Sequence, residues 1–421
     1  MATPKQPQPE RQRDWYPYYA GFTEHFVSEL LTQHLRNVGS VLDPWNGSGT
    51  TTAVCAKRGL TSAGVDINPA LTVIARARLT PRSILESLSP IGVEILEAAQ
   101  RQHEDSHDAE DPLDVWMRRS AVRHLRSVQF AIHSVLSAVP DGPRPLRIGR
   151  LTDSLPLLAC FYYCALFATT RDLLLGFRAT NPTWQKSPKS SRHRIAPGWR
   201  RICKLFLRRT AYFSERLSIV ENDSPEIPVL VRTASAASLP FQSGAYDACV
   251  TSPPYATRID YVKSVLPELA VLGATQADVQ ALRQASTGSP VVKGVAVDNA
   301  KLDSRYGRSL LKKIESHPSK GSKPYYFPWM SNYFRSLQRG LHEVARVVAN
   351  NGAICIIVQD SHYKALHIDL QQFVTQTMES TGRSLRVRQD YEVRRHRAWM
   401  NPRARRHLVN RHNSESLLVF R

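Results

Sequence analysis

The chain is expected to be an α/β protein, built on a doubly wound, mostly parallel sheet with helical insertions. Three observations point there. Two apolar strand-like runs, "SVLD" and "SAGVD", each end in an acid and each lead into a helical pattern. A glycine turn, Gly47 to Gly49, stands between the first strand and its helix. Further strand-like runs follow long helical stretches, at 246–252, 353–360 and 414–420. Strands that alternate with helical patterns are joined by crossovers, and crossovers favour parallel pairing.

Taken in order, residues 1–14 form a polar tail with no apolar signal core. "AGFTEHFVSELLTQHL" (20–35) has helical apolar spacing. "SVLDPWNGSGTTTAVCAKRG" (40–59) reads as strand, turn and helix, and "TSAGVDINP" (61–69) as a second strand followed by the helix "ALTVIARARL" (70–79). The alternation then stops, and residues 82–225 are largely helical. Within them "LPLLACFYYCALFATTRDLLLGF" (155–177) is the most apolar stretch. Arg171 and Asp172 interrupt it, so a buried helix is expected in place of a bilayer span. Strand character returns at "YDACVTS" (246–252). Residues 262–324 read as a second insertion, helical first and then loop-like. "YYFPWMSNYFRSLQRGLHEVARVVANNG" (325–352) reads as an amphipathic helix stopped by glycine. "AICIIVQD" (353–360) and "SESLLVF" (414–420) close the sheet.

Charge narrows the partners. Lys and Arg number 56 against 36 Asp and Glu, a formal charge of +20, which favours a polyanion such as nucleic acid. The six cysteines are scattered and make no paired CxxC spacing, which fits a reduced cytoplasmic compartment and gives no metal or disulfide framework.

Two loops carry chemistry. In "DPWNGSGTT" (43–51), Gly47 and Gly49 permit a close approach to the backbone. Asp43 closes its strand, and Asp66 at the next strand tip can accept hydrogen bonds from ribose hydroxyls. A nicotinamide dinucleotide fits less well, because Thr52 replaces the third glycine of GxGxxG and a carboxylate precedes the turn. That carboxylate suits a cationic amino group, as S-adenosylmethionine carries. In "TSPPY" (251–255), Pro253 and Pro254 fix φ and hold a carbonyl without a competing N–H. A nucleobase amino group is a poor nucleophile. Hydrogen bonds from it to the Ser252 hydroxyl and the Pro253 carbonyl would aim its lone pair, while Tyr255 stacks on the extruded base. Both loops end strands, so both should face one crevice. No metal is required.

Together these loops resemble the S-adenosylmethionine-dependent DNA amino-methyltransferases, which make N4-methylcytosine or N6-methyladenine. The likeness rests on "DPWNGSGTT", with Trp45 where the family usually has Phe, on "GVDINP" and on "TSPPY"; it covers roughly 15–80, 229–262 and 325–421. "WYPYYAGFTEHFVSELL" (15–31) is similar to the family's extra cofactor motif. The resemblance implies a Rossmann-like, seven-stranded methyltransferase sheet. It implies cofactor binding by Phe22, Asp43, Pro44, Trp45, Gly47, Gly49, Thr50, Asp66 and Asn68, and catalysis by Ser252, Pro253, Pro254 and Tyr255. The corresponding organisation is tail 1–14, cofactor part 15–81, basic helical insert 82–228, catalytic-loop part 229–261, second insertion 262–324, and the rest of the catalytic domain 325–421.

Double-stranded DNA is the expected partner. Serine at the head of "SPPY" is associated in the family with cytosine N4, whereas Asp or Asn there is associated mainly with adenine N6. An RNA amino-methyltransferase and a catalytically silent DNA-binding protein of the same fold are the rival readings. Ser235 stands where relatives often carry an acid, which leaves an adenine contact there in doubt. Candidate DNA contacts are three basic, aromatic-interleaved stretches at 184–209, 305–326 and 386–412. Asp360 and His362, near a strand tip, are expected to be a satisfied surface pair. The sequence leaves open whether a cognate restriction endonuclease accompanies the chain.

Overall fold

A seven-stranded sheet organises the described residues. The computed structural model describes residue 4 and residues 15–18, 21–101, 111–136, 151–179, 184–218, 227–257, 259–291, 302–392 and 414–421. Its strands are β1 (Ser40–Asp43), β2 (Thr61–Asp66), β3 (Val229–Thr233), β4 (Tyr246–Thr251), β5 (Val348–Gln359), a hairpin of β6 (Ser361–Tyr363) and β7 (Leu366–Ile368), β8 (Leu385–Glu392) and β9 (Ser414–Phe420). The large sheet has the order β3-β2-β1-β4-β5-β9-β8. Within it β9 pairs antiparallel with β5 and β8, and the other described pairings are parallel. The chain steps outward from β1 to β2 and β3, then returns across β1 to β4. The strand order therefore reverses between β1 and β4, where an open parallel sheet forms its crevice.

The alternation of side chains explains the two covered faces. Leu42, Cys249, Ile354, Ile356 and Leu418 face one way, under the helices Arg305–Glu315, Phe327–Val347 and Leu370–Ser380. Val41, Ala248, Val250, Cys355, Ile357 and Val419 face the other, under Glu24–His34 and Thr50–Lys57. Burial on both sides is why these strands read as continuous apolar runs.

A third core joins the two insertions. Helices Leu85–Arg101, Arg119–Leu136, Leu157–Leu173 and Trp199–Ser218 pack with Val262–Leu282 on the sheet's own helix Pro69–Ala77. Leu157–Leu173 is buried almost all round, which accounts for its apolar run. Among the described residues no helix is long and apolar enough to cross a membrane. Inside this core Arg171 forks onto the Glu268 carboxylate and reaches the Ser264 carbonyl, while Tyr16 donates to Glu268. One buried ion pair thus ties the first insertion, the second insertion and the N-terminal segment together.

Three expectations are corrected. Strand β3 was not foreseen; it is a short edge strand with little burial, so it lacks an apolar run. Strand β5 starts at Val348, and the preceding helix passes straight into it with no glycine stop. Gly352 lies inside that strand, where a Cβ would sit 2.5 Å from the Asp247 carbonyl oxygen. The start of the basic stretch 386–412 is strand β8 as far as Glu392; residues 393–412 lie outside the described residues.

Candidate active site

The register between β1 and β4, with Val41 beside Ala248 and Leu42 beside Cys249, sets the two motif-bearing strand ends side by side. A direct bond joins them. Thr251, the last residue of β4, donates its hydroxyl to Asp43 Oδ1 at 2.7 Å. Thr51, in the helix after the glycine turn, donates to Asp43 Oδ2 at 2.6 Å, and the Trp45 amide donates to Oδ1 at 3.2 Å. Asp43 is only 2% exposed, and no cation pairs with it among the described residues. Burial pushes its carboxyl up to about 6, against the pull of the two threonine hydroxyls.

The turn is shaped by backbone that only glycine adopts readily. Gly47 and Gly49 have φ of +53° and +82°. A Cβ on Gly49 would come within 2.7 Å of the Ala75 Cβ, so the turn also needs the small residue to seat against the next helix. The Gly47 amide donates to Asp66 Oδ2 at 3.0 Å, and the Asn68 amide to Asp66 Oδ1 at 2.8 Å. Burial lifts the Asp66 carboxyl to about 6 as well, with Asp43 adding to the rise. Asn46 is buried over Gly64, and its Nδ2 has no partner among the described residues.

The other predicted cofactor residues take distinct places. Trp45 lies against Gly340 of the helix Phe327–Val347. Thr50 opens its helix within 3.4 Å of Arg78 Nη1. Asn68 caps the helix Pro69–Ala77 by accepting from the Ala70 amide, so its side-chain oxygen is already used. Phe22 packs beside Phe26, with ring centroids 6.0 Å apart, at the rim of the core under Glu24–His34. Pro44 follows Asp43 directly at the strand end.

At the β4 tip, Ser252 donates to the Tyr255 hydroxyl at 3.2 Å, and Tyr255 donates to Glu415 Oε1 at 2.6 Å. The Tyr333 hydroxyl donates to the Pro254 carbonyl at 2.8 Å, which pins the stiff tip to the long helix. Pro253 is buried between these anchored residues.

Sequence reasoning missed Tyr18, Glu415, Tyr261 and Tyr333. A Cβ on Gly47 would touch the Tyr18 ring at 3.3 Å, so this tyrosine lies over the glycine turn. Burial, then the nearby Asp66, pushes its hydroxyl well above the ordinary tyrosine value. Burial does the same for Tyr255 and Tyr333, and Tyr261 adds to the rise at all three, so four tyrosines share one region. Tyr18 and Tyr261 sit in or beside the quoted motifs and were open to detection; Glu415 lies in an apolar strand with no local signal. Asp360 is also corrected: it is buried, pairs with His367 at 2.8 Å in place of His362, and accepts from the Ser414 amide.

This sheet, with an acid–glycine turn and a proline-stiffened tip on its two central strands, defines a Rossmann-like methyltransferase fold. No family model matches the chain. It is similar to the type II methyltransferase M.BsoBI of Geobacillus stearothermophilus, 23% identical over 66% of this chain and 56% of that protein. It is similar also to M.MvaI of Kocuria varians, 24% identical over 54% of this chain and 48% of that protein. A shorter match, 40% identical over 65 residues, covers 15% of this chain and 12% of M.MjaII of Methanocaldococcus jannaschii. The chain spans about half the length of the first two relatives. These matches support a DNA methyltransferase family for the chain.

Proposed function

We propose that the protein is an S-adenosylmethionine-dependent DNA methyltransferase acting on the N4 amino group of a cytosine extruded from duplex DNA. The observation that carries this reading is the Thr251–Asp43 hydrogen bond of 2.7 Å, which ties the two motif-bearing strand tips side by side. The donor set suits the cofactor. Asp43 and Asp66 are enclosed carboxyls without cationic partners among the described residues, and they answer an amino group and ribose hydroxyls respectively. The Gly47–Gly49 turn gives backbone access beside them. When bound, the cofactor supplies an electrophilic sulfonium methyl group.

The protein's own part is orientation. The Ser252 hydroxyl and the Pro253 carbonyl accept the two amino hydrogens, hold the nitrogen near tetrahedral, and leave its lone pair directed away from the base plane. The aromatic wall of Tyr18, Tyr255, Tyr261 and Tyr333 encloses the base and limits water. Cytosine is favoured because serine heads the "SPPY" loop. The relatives are named type II methyltransferases, and a cognate restriction endonuclease belongs to the same reading.

Methyl-labelled cofactor, incubated with the protein and duplex DNA or tRNA, tests it. N4-methylcytosine in the digested DNA supports the reading. N6-methyladenine corrects the base, label in tRNA corrects the polymer, and no transfer to either rejects the activity.

A further inference from the structure

Glu415 stands on β9, in neither motif, yet its carboxylate meets the catalytic loop. We propose that Glu415 is a positioning residue that fixes the direction of the Ser252 hydroxyl, so that Ser252 meets the substrate amine only as a hydrogen-bond acceptor. This rests on the methyltransferase reading above.

The polarity follows from counting protons. The Tyr255 hydroxyl is the donor of its bond to Glu415 Oε1, 2.6 Å away. Its single proton is then spent, and its oxygen can only accept from Ser252, 3.2 Å away. The shorter bond sets the direction and the longer one follows. Burial and then Glu415 itself push the Tyr255 hydroxyl well above the ordinary tyrosine value, so it remains a neutral donor. The Ser252 proton therefore points inward to Tyr255, and its lone pairs are left for the pocket.

That direction matters for an amine nucleophile. A hydroxyl donating to the amino nitrogen would compete for the very lone pair that must attack, whereas an accepting hydroxyl draws on an N–H bond and frees it. The same polarity withholds the Ser252 proton from the base's ring nitrogen. Serine alone could present either face; the chain ending in Glu415 selects one. The placement is rigid: Glu415 is 3% exposed and is held on both sides, opposite Gln359 of β5 and Tyr391 of β8.

Glu415→Gln keeps the shape but supplies an amide donor, which lets the Tyr255–Ser252 direction reverse. The full-length protein is compared with Glu415→Gln, Tyr255→Phe and the double variant, by single-turnover methyl transfer to duplex DNA. Cofactor and DNA affinities and the melting temperature are followed in parallel. Glu415→Gln is expected to slow transfer about 10- to 100-fold, the range of a misdirected proton-handling group, with both affinities and the melting temperature unchanged. Glu415→Gln should add nothing further to the rate loss in the Tyr255→Phe background, because the proposed positioning runs through that hydroxyl. An unslowed Glu415→Gln, an equal slowing in both backgrounds, or a loss carried by affinity or melting temperature overturns the proposal. Wild-type protein that transfers no methyl group to DNA overturns the methyltransferase reading and this inference with it; an active wild type with an unaffected variant overturns this inference alone.

Discussion

Asp43 is a carboxyl held by two threonine hydroxyls and, among the described residues, no cation, and burial lifts it to about 6. The sign of its pH dependence follows. The unfolded group titrates near 3.8, so between roughly 4 and 6 the folded protein holds a proton that the unfolded chain has lost. The stability this proton contributes is present below about 4 and lost as pH rises through 6. Ionised Asp43 is thus a strain at neutral pH unless a cationic ligand meets it. Cofactor affinity should strengthen from pH 5 to 7 and then level, and Asp43→Asn should flatten the curve and bind weakly; calorimetric titration across that range checks both. Ser252 separates from this pair. On the proposed reading Ser252→Ala removes one acceptor for the amine, and it should cut the transfer rate about 100-fold, with cofactor affinity held within twofold of wild type. Full turnover by Ser252→Ala would remove serine from the chemistry. Both acids and the serine were legible because they close or follow apolar runs. Glu415 was not, since nothing local marks a carboxylate whose partner, Tyr255, lies 160 residues away in the chain.

Trp45 is a large ring in a tight turn, and one helix accommodates it. A Cβ at Gly340 would stand 2.6 Å from Trp45 Cζ2 and 2.7 Å from Cη2, so the indole and the bare backbone of the helix Phe327–Val347 are fitted to each other. Gly340→Ala should favour that helix intrinsically, by up to about 1 kcal/mol, yet displace the indole and with it the turn that begins at Asp43. Cofactor affinity is expected to fall about tenfold while the helix content holds, and Trp45→Phe in the same protein should recover most of the loss; equilibrium binding of wild type and these two variants is the measurement. Gly340→Ala with unchanged affinity would show that the turn does not depend on this packing. At this scale the strand–turn–helix units at 40–57 and 61–77 were readable, because glycine, capping Asn68 and apolar periodicity agree. Strands β3 and β8 were not: both are edge strands, whose polar and charged residues face solvent and imitate loop or basic-patch composition.

The excess positive charge has a place in the molecule as well as a sum. The helix Trp199–Ser218 buries Ile202, Phe206, Thr210, Phe213 and Leu217 against the helical core and turns Arg200, Arg201, Lys204 and Arg208 outward. Arg208 and Arg209 are drawn to Asp172, and Arg308 of the second insertion binds the carbonyls of Leu302 and Asp303, so those three cations already have structural work. Arg200, Arg201 and Lys204 make no ion pair among the described residues, and Lys186, Lys189 and Arg192 extend the same exposed positive run toward them. Charge free of internal partners is what a phosphate backbone can use, and each phosphate it neutralises releases a counterion from DNA. The sequence showed the excess but not which cations were committed, because commitment depends on residues brought together only by folding. Replacing Arg200, Arg201 and Lys204 together with Gln is expected to lower the slope of log affinity against log salt by up to about 3, at roughly 0.9 for each phosphate no longer neutralised. The weakening should be alike for any duplex sequence, since phosphate contacts position and do not specify. Cofactor affinity should not move, because these side chains project from the insertion and not from the β1–β4 crevice. An unchanged slope would place the DNA backbone on another face. The second insertion would be next, with Arg305, Lys312 and Lys313 exposed along Arg305–Glu315.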